Sequence, residues 1–313
     1  MAMSNGSSPD PVLPAEPSPA APRAELHASP EVARAPGEKP SRPDLLAAAG
    51  DRLSPVERWQ IDFIRGSFEP GRVDTALRWC QRNVGAAWIH HCTKHVRHVY
   101  GLERLPALTP SDSVLCVCNH RSFFDLFVVT AELVRRGMKQ RIAFPVRSQF
   151  FYDNPLGLFV NGVMSFFAMY PPIFRERRRL ALNVTSLQEL VWLLKRGGTF
   201  AGVHPEGTRK KDEDPYTFLP AQTGVGRVIY EARVPVVPVF INGLINDLPR
   251  QVLGNFDRSG KPVIVVFGKP VEFGSLIDQR PSPRVYRALA EHALSAIGEL
   301  GAEEKLIRTT LDG

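Results

Sequence analysis

The stretch CNHRSFFDLF, residues 118–127, sets His120 and Asp125 five positions apart between two apolar runs. A carboxylate bonded to one imidazole nitrogen fixes the tautomer. The other nitrogen can then take a proton from a hydroxyl, and the carboxylate stabilises the ring once it is charged. This use requires the two side chains to meet. Residues five apart on a continuous helix lie about 140° around the axis and do not face each other, so His120 must sit in a loop that turns back on Asp125. Ser122 is suited to cap the helix that follows, with Asp125 in its first turn. The same letters also read as a capping box whose carboxylate serves the backbone alone, leaving His120 without a role.

A second polar segment, HPEGTRK at residues 204–210, follows an apolar run. It gathers a carboxylate (Glu206), a flexible glycine (Gly207), a hydroxyl (Thr208) and a guanidinium (Arg209), a set suited to polar or phosphorylated ligands. VPVVPV, residues 234–239, reads as a strand whose two prolines place it at an edge or along a ligand-lining wall.

These residues need a scaffold, and the pattern around them supplies one. SVLCVC, RIAFPV, GTFAGV, VPVVPVFI and PVIVVFG read as strands, with helices over residues 125–137, 184–196 and 223–233. The alternation predicts an α/β domain with a mixed, largely parallel sheet flanked by helices. His120 then falls at the carboxyl end of a strand, where open α/β sheets bind their ligands. Ser282 and Pro283 make a cap and first-turn pair for a terminal helix through about Leu300. Upstream, Leu77, Cys80, Val84, Trp88, Cys92, Val96 and Val99 recur at helical spacing among Arg78, Arg82, Lys94 and Arg97, which predicts one amphipathic helix over residues 73–100. Such a helix either covers the core of the following domain or lies on an anionic bilayer.

The expected organisation is a disordered tail over residues 1–43, a helical, membrane-associating region over 44–100, the α/β domain over 101–275 and a closing helical segment over 276–313. The tail holds ten of the 28 prolines and almost no large apolar residues, too little to offset ordering entropy. It has no secretory signal pattern, so a cytosolic start is expected. Net charge is +7 overall and about +8 for the body, which suits an anionic partner: a membrane surface, nucleic acid or phosphorylated small molecules. Cys80, Cys92, Cys116 and Cys118 form no CxxC pair and read as free thiols. Residues 156–174, LGLFVNGVMSFFAMYPPIF, run nineteen positions without a formal charge, long enough to span a bilayer. A single span there would put His120 and Glu206 on opposite sides of the membrane, and Pro171 and Pro172 interrupt any helix. Core packing or a monotopic surface fits better, with Arg175, Arg177, Arg178 and Arg179 following at once to meet phosphate groups.

Taken in order, Asn119 to Asp125 (NHRSFFD), Pro205 to Arg209 (PEGTR) and the VPVVPV run resemble the first, third and fourth motifs of the glycerolipid and lysophospholipid acyltransferases, over residues 101–273. The resemblance implies His120 as general base on an acceptor hydroxyl and Asp125 as its orienting partner. It implies Glu206, Gly207, Thr208 and Arg209 as acceptor contacts, with Arg175 as the arginine of the second motif. The implied reaction moves an acyl group from an acyl-CoA or acyl-carrier-protein thioester to a lysophospholipid such as lysophosphatidic acid. Glycerol-3-phosphate and a lyso-ornithine-type lipid are alternative acceptors. No cofactor, metal or covalent enzyme intermediate is implied, and the place of action is the cytoplasmic side of a membrane, peripheral or monotopic. Three positions depart from the family pattern: Met169 and Pro172 stand where the second motif has glycine and phenylalanine, and His204 replaces the usual aromatic before the proline.

Other readings account for less of the chain. His91, His95 and His98 would share a helical face, but no carboxylate lies nearby to support a metal. GNFDRSGKP has the wrong spacing for a phosphate loop, and TGVGRV lacks the third glycine of a dinucleotide fingerprint. A noncatalytic basic membrane-binding module explains the charge but neither polar motif, and no nucleic-acid motif is present. A hydrolase in which His120 activates water would differ from a transferase in lacking an acyl-chain groove and an acceptor-dependent rate.

Overall fold

The computed structural model describes residues 41–153 and 155–311. Most of the expected 1–43 tail therefore lies outside the described residues. Its last residues, 41–43, lie against the body, where Arg42 is tied to Glu189 at 2.9 Å.

The N-terminal helices are α1 (Leu45–Ala49), α2 (Pro55–Gly66), α3 (Arg72–Cys80) and α4 (Ala86–His91). Ser54 and Glu57 form a reciprocal capping box that starts α2. The helix expected over 73–100 is broken twice. Residues 81–85 form a wide π turn between α3 and α4, where buried Gln81 bonds the carbonyls of Ser165 and Phe166 and the N–H of Ile142. Beyond His91 the chain turns and enters the sheet as β1 (Arg97–Tyr100), paired parallel with β8 (Val263–Phe267). Val96 and Val99 match a helical period, but the open edge of β8 captures them, so the sheet begins before residue 101.

The intervening elements are β2 (Val114–Cys118), α5 (Asp125–Arg135), β3 (Arg141–Ala143), β4 (Val146–Arg147), α6 (Ser148–Phe151), α7 (Pro155–Ser165) and β5 (Pro172–Ile173). They continue through α8 (Leu182–Arg196), β6 (Thr199–Val203), α9 (Thr223–Ala232), β7 (Val236–Asn242) and α10 (Leu248–Phe256), and α11 (Pro283–Leu311) closes the chain. Six strands form one sheet in the order β1-β8-β7-β2-β6-β3, parallel throughout except for the antiparallel β7–β8 pair. The mixed, largely parallel sheet expected from the alternation is present, with β2 at its centre. RIAFPV divides into β3 and β4, and β4 pairs with β5 in a separate two-stranded sheet.

Both faces of the main sheet are covered, so β2, β6 and β8 are buried along their whole length. On one face α5 packs so closely that a Cβ on Gly202 would fall 2.8 Å from Leu126 and Phe144. On the other, α11 crosses β7 and β8, and a Cβ at Gly301 would lie 3.0 Å from the Phe240 ring. Gly301 is thus a close-approach residue inside a helix. α11 continues through it and runs eleven residues past the expected stop near Leu300. Ser282 caps it, its Oγ accepting from Val285 N at 3.2 Å.

Buried ion groups hold the N-terminal helices to the sheet. Glu189, fully buried on α8, accepts from Arg42 Nε at 2.9 Å, Arg65 Nε at 2.8 Å and Tyr170 Oη at 2.7 Å. Arg141, also fully buried, lies 3.3 Å from Asp74 and stacks over the Phe68 ring. The uncharged segment does not form one element: α7 ends at Ser165, Phe166 and Phe167 turn the chain with positive φ, and β5 follows. Among the described residues no helix is long and apolar enough to cross a membrane.

Candidate active site

β2 ends at Cys118 and delivers Asn119 and His120 to the carboxyl edge of the sheet. Asn119, fully buried, clamps this turn to the neighbouring strand: its amide donates to Ile241 O and accepts from Ile241 N, both at 2.8 Å. With the turn fixed, the chain folds back so that His120 Nδ1 lies 3.3 Å from Asp125 Oδ2. The same oxygen accepts from Arg121 N and Ser122 N at 2.8 Å each. The carboxylate thus serves the backbone and the imidazole at once, on one oxygen, but Ser122 does not cap α5: the helix starts at Asp125 after Phe124, and Ser122 Oγ accepts from Phe124 N at 3.2 Å. Asp125 Oδ1 is buried and has no hydrogen-bond partner.

Burial sets the electrostatics. It pushes the Asp125 carboxyl up to about 6, against the pull of His204 and of the two backbone N–H groups. Burial first, and then the Arg209 and Arg175 guanidinium groups, push His120 down to about 3. At neutral pH the pair is a neutral imidazole beside an ionised carboxylate. Nδ1 carries the proton toward Asp125, and Nε2 is left as the acceptor.

The second polar segment meets this pair at the end of β6, but not in the expected manner throughout. Glu206 is buried, and its carboxylate accepts from His120 N at 3.1 Å and Leu219 N at 2.8 Å. It braces the backbone of the His120 turn and does not point outward as an acceptor contact would. Gly207 takes a left-handed φ of 68°, and a Cβ there would lie 2.8 Å from Gln222, so no other residue fits the turn without strain. Thr208 and Arg209 are exposed beside it. Arg175 arrives after β5 and donates to Gly207 O at 2.9 Å. Arg209 donates to Asn246 Oδ1 at 2.7 Å, and that same oxygen accepts from Phe123 N. Two guanidinium groups from different segments thus reach one patch of surface next to His120. Asn246 and Leu219, which orient Arg209 and Glu206, carry no sequence signal, because each acts from a loop remote in the chain.

His204 completes the set. Its ring stacks on His120 with centroids 3.8 Å apart and planes 9° apart, and its Nδ1–H donates to Cys118 O at 2.9 Å. His120, Asp125 and His204 are the one group among the described residues whose nitrogen and oxygen ligand atoms lie within 4.8 Å of one another. A ligating imidazole directs its lone pair in the ring plane, so two rings stacked face to face do not converge on a shared ion, and we assign no metal here. Nor do His91, His95 and His98 share a face: His91 ends α4, His95 lies in the following turn and His98 lies in β1.

A cavity of about 830 Å³ opens on the α5 side of the sheet. Leu108, Val114, Cys116, Leu133, Phe200 and Val237 are among its walls. It lies toward the amino ends of β2, β6 and β7, where Glu103, Arg104, Arg136 and Glu303 also line it, and none of Cys118, His120, Asp125 or His204 reaches it.

No curated protein matches the chain. Among solved structures, the crystal structure of the 1-acyl-sn-glycerophosphate (LPA) acyltransferase PlsC from Thermotoga maritima is similar with a TM-score of 0.45 and 21% identity, covering 82% of this chain and 94% of that one. Residues 96–242 match the family model described as Acyltransferase, a span that starts one residue before β1, ends with β7 and contains the His120 turn, Arg175 and the Glu206 to Arg209 turn. Over residues 96–242, a little under half of its length, the chain is thus similar to the acyltransferase family.

Proposed function

We propose that the protein transfers a fatty acyl group from an acyl-CoA or acyl-carrier-protein thioester to the free hydroxyl of a lysophospholipid such as lysophosphatidic acid, as a step of phospholipid biosynthesis. The observation that carries this reading is the neutral His120 imidazole, oriented by Asp125, with Arg175 and Arg209 converging beside it. The acceptor hydroxyl gives its proton to His120 Nε2 as its oxygen attacks the thioester carbonyl. Asp125 steadies the imidazolium that forms. The tetrahedral intermediate collapses with loss of the thiolate, which takes the proton from His120, giving the ester and the free thiol.

Arg175 and Arg209 suit a phosphomonoester, since a guanidinium holds phosphate through paired, charge-assisted hydrogen bonds. They also depress the basicity of His120. A bound phosphate neutralises them, so acceptor binding strengthens the base at the moment it is needed.

The reading includes a membrane surface, contacted from the cytoplasmic side. Trp59 and Phe63 on α2, Trp79 on α3, and Leu156, Phe159 and Val163 on α7 are all exposed. Phe63 packs edge-on to Phe167 at 5.3 Å, which joins α2 to the end of α7 in one apolar face.

The test is incubation of purified protein with labelled acyl-CoA or acyl-carrier protein and a panel of lysophosphatidic acid, glycerol-3-phosphate and lyso-ornithine lipid, with products identified by mass. Acylated lysophosphatidic acid, formed by wild type and lost in His120→Ala, is the expected result. Thioester consumption at the same rate without any acceptor would make the protein a hydrolase.

A further inference from the structure

His204 stands where the motif it resembles usually carries an aromatic residue, and its imidazole makes two contacts of different kinds. One face of the ring lies flat on His120, with centroids 3.8 Å apart. The ring edge donates its Nδ1–H to the carbonyl of Cys118, the last residue of β2, at 2.9 Å. An apolar ring could supply the first contact but not the second. An amide side chain could supply the second but not the first.

We propose that His204 is a positioning residue for acyl transfer: its ring fixes the plane of the His120 imidazole, and its N–H separately secures the end of β2. The rate half of this proposal rests on the acyl-transfer reading. Two constraints define the orientation of His120. Asp125 holds one edge of the ring through Nδ1, and about that bond the ring is otherwise free to tilt. The parallel ring of His204 removes the tilt, so that Nε2 keeps its aim at the acceptor hydroxyl. Burial and the adjacent His120 ring push His204 down to about 3, so it stays neutral. A neutral aromatic face attracts the imidazolium formed during turnover, whereas a charged one would repel it.

Three variants separate the two contacts. His204→Phe keeps the ring and loses the N–H; it should hold kcat within about threefold of wild type and lower the melting temperature, because the Cys118 carbonyl loses its donor. His204→Asn keeps a donor and loses the ring; it should melt near wild type while kcat falls about 10- to 100-fold, with KM for both substrates changed by no more than about threefold. His204→Ala should lose in both respects. Equal kcat in wild type and His204→Asn, or a kcat in His204→Phe as low as in His204→Asn, would overturn the proposal. So would a loss of rate that tracks the loss of stability across all three, since that is the mark of a merely structural side chain.

A spectroscopic measurement tests the stack without reference to activity. In protein carrying ¹³C-labelled histidine, the ring protons of His120, identified by their disappearance in His120→Ala, should be displaced upfield by the neighbouring ring in wild type and in His204→Phe. In His204→Asn they should return to ordinary positions. If wild type shows no displacement, the stack is refuted. If wild type shows it but acylates no acceptor, the acyl-transfer reading is refuted instead.

Discussion

Asp125→Asn should move activity and stability in opposite directions. The carboxyl of Asp125 is 1% exposed, and burial raises it from the ordinary 3.8 to about 6. The folded protein therefore binds this proton more tightly than the unfolded chain does. The group's contribution favours the fold below pH 3.8 and is lost as pH rises through about 6. At 1.36 kcal/mol per pH unit, keeping the buried carboxylate ionised at neutral pH costs the fold about 3 kcal/mol. Asparagine removes that cost. Its Oδ1 can take over the N–H groups of Arg121 and Ser122, which now share Oδ2. Its amide nitrogen then falls where Asp125 Oδ1 lies, buried and without a partner, and costs about 1–3 kcal/mol.

The balance for Asp125→Asn lies between no change and about 2 kcal/mol of added stability. Turnover should fall by roughly 10²- to 10⁴-fold, because no carboxylate remains to orient His120 or to stabilise its charged form. The assay pairs acyl transfer with thermal melting between pH 4 and 8. Wild type should gain activity as pH rises through about 6; His120 and His204, both held near 3, add to stability as pH rises and do so in wild type and variant alike, so the readout for Asp125 is the difference between the two proteins, which should shift in the variant's favour between pH 4 and 6. Turnover within fivefold of wild type (about 1 kcal/mol of barrier), or a stability difference that does not change over that range, would refute the reasoning.

Three further outcomes follow from other contacts. Arg209→Ala and Arg175→Ala should raise the KM for a phosphomonoester acceptor while sparing thioester hydrolysis, and lysine should rescue only in part because it lacks the fork; unchanged KM in both, measured by product mass, would favour an acceptor with a different head group. Trimming residues 1–40 should leave the melting temperature unchanged, whereas trimming 1–43 removes Arg42 from Glu189 and should cost stability near the low end of the ~3–5 kcal/mol for a broken buried pair, since Arg65 and Tyr170 remain. Sedimentation with anionic vesicles should weaken in Trp59→Ala and Phe159→Ala, and salt should reduce but not abolish it because the apolar term survives screening; full binding by the double variant would place the membrane contact elsewhere.

The contact between His120 and Asp125 was legible because local geometry forces it. A strand end, a short turn and a helix start leave His120 and Asp125 few ways to avoid each other. The sheet was legible for a similar reason: fully buried strands such as VLCVC and VIVVF leave a mark in composition alone. What failed to show in the sequence was decided by partners far along the chain. The residues of β1 keep helical spacing and become a strand because β8 offers them an edge. Gly301 looks like a helix stop and is instead the point where α11 needs to approach Phe240. Glu206 was legible as a site residue but not in its direction, since the donors that turn it inward are backbone groups of His120 and Leu219.

The opposed behaviour of His120 and Asp125 follows from one cause. The same burial that keeps Asp125 from ionising easily keeps His120 from taking a proton. Under the proposed function the imidazole of the resting site is a poor base, so an undocked water would gain little from it and the thioester would be protected from wasteful hydrolysis. The two arginines deepen that protection while no anion lies between them, and they release it when a phosphate does. Under the proposed function, selection of the acceptor and activation of the base are therefore one electrostatic event. Arg175 and Arg209 would then act on the rate of the chemical step as well as on binding, although neither touches the proton that moves.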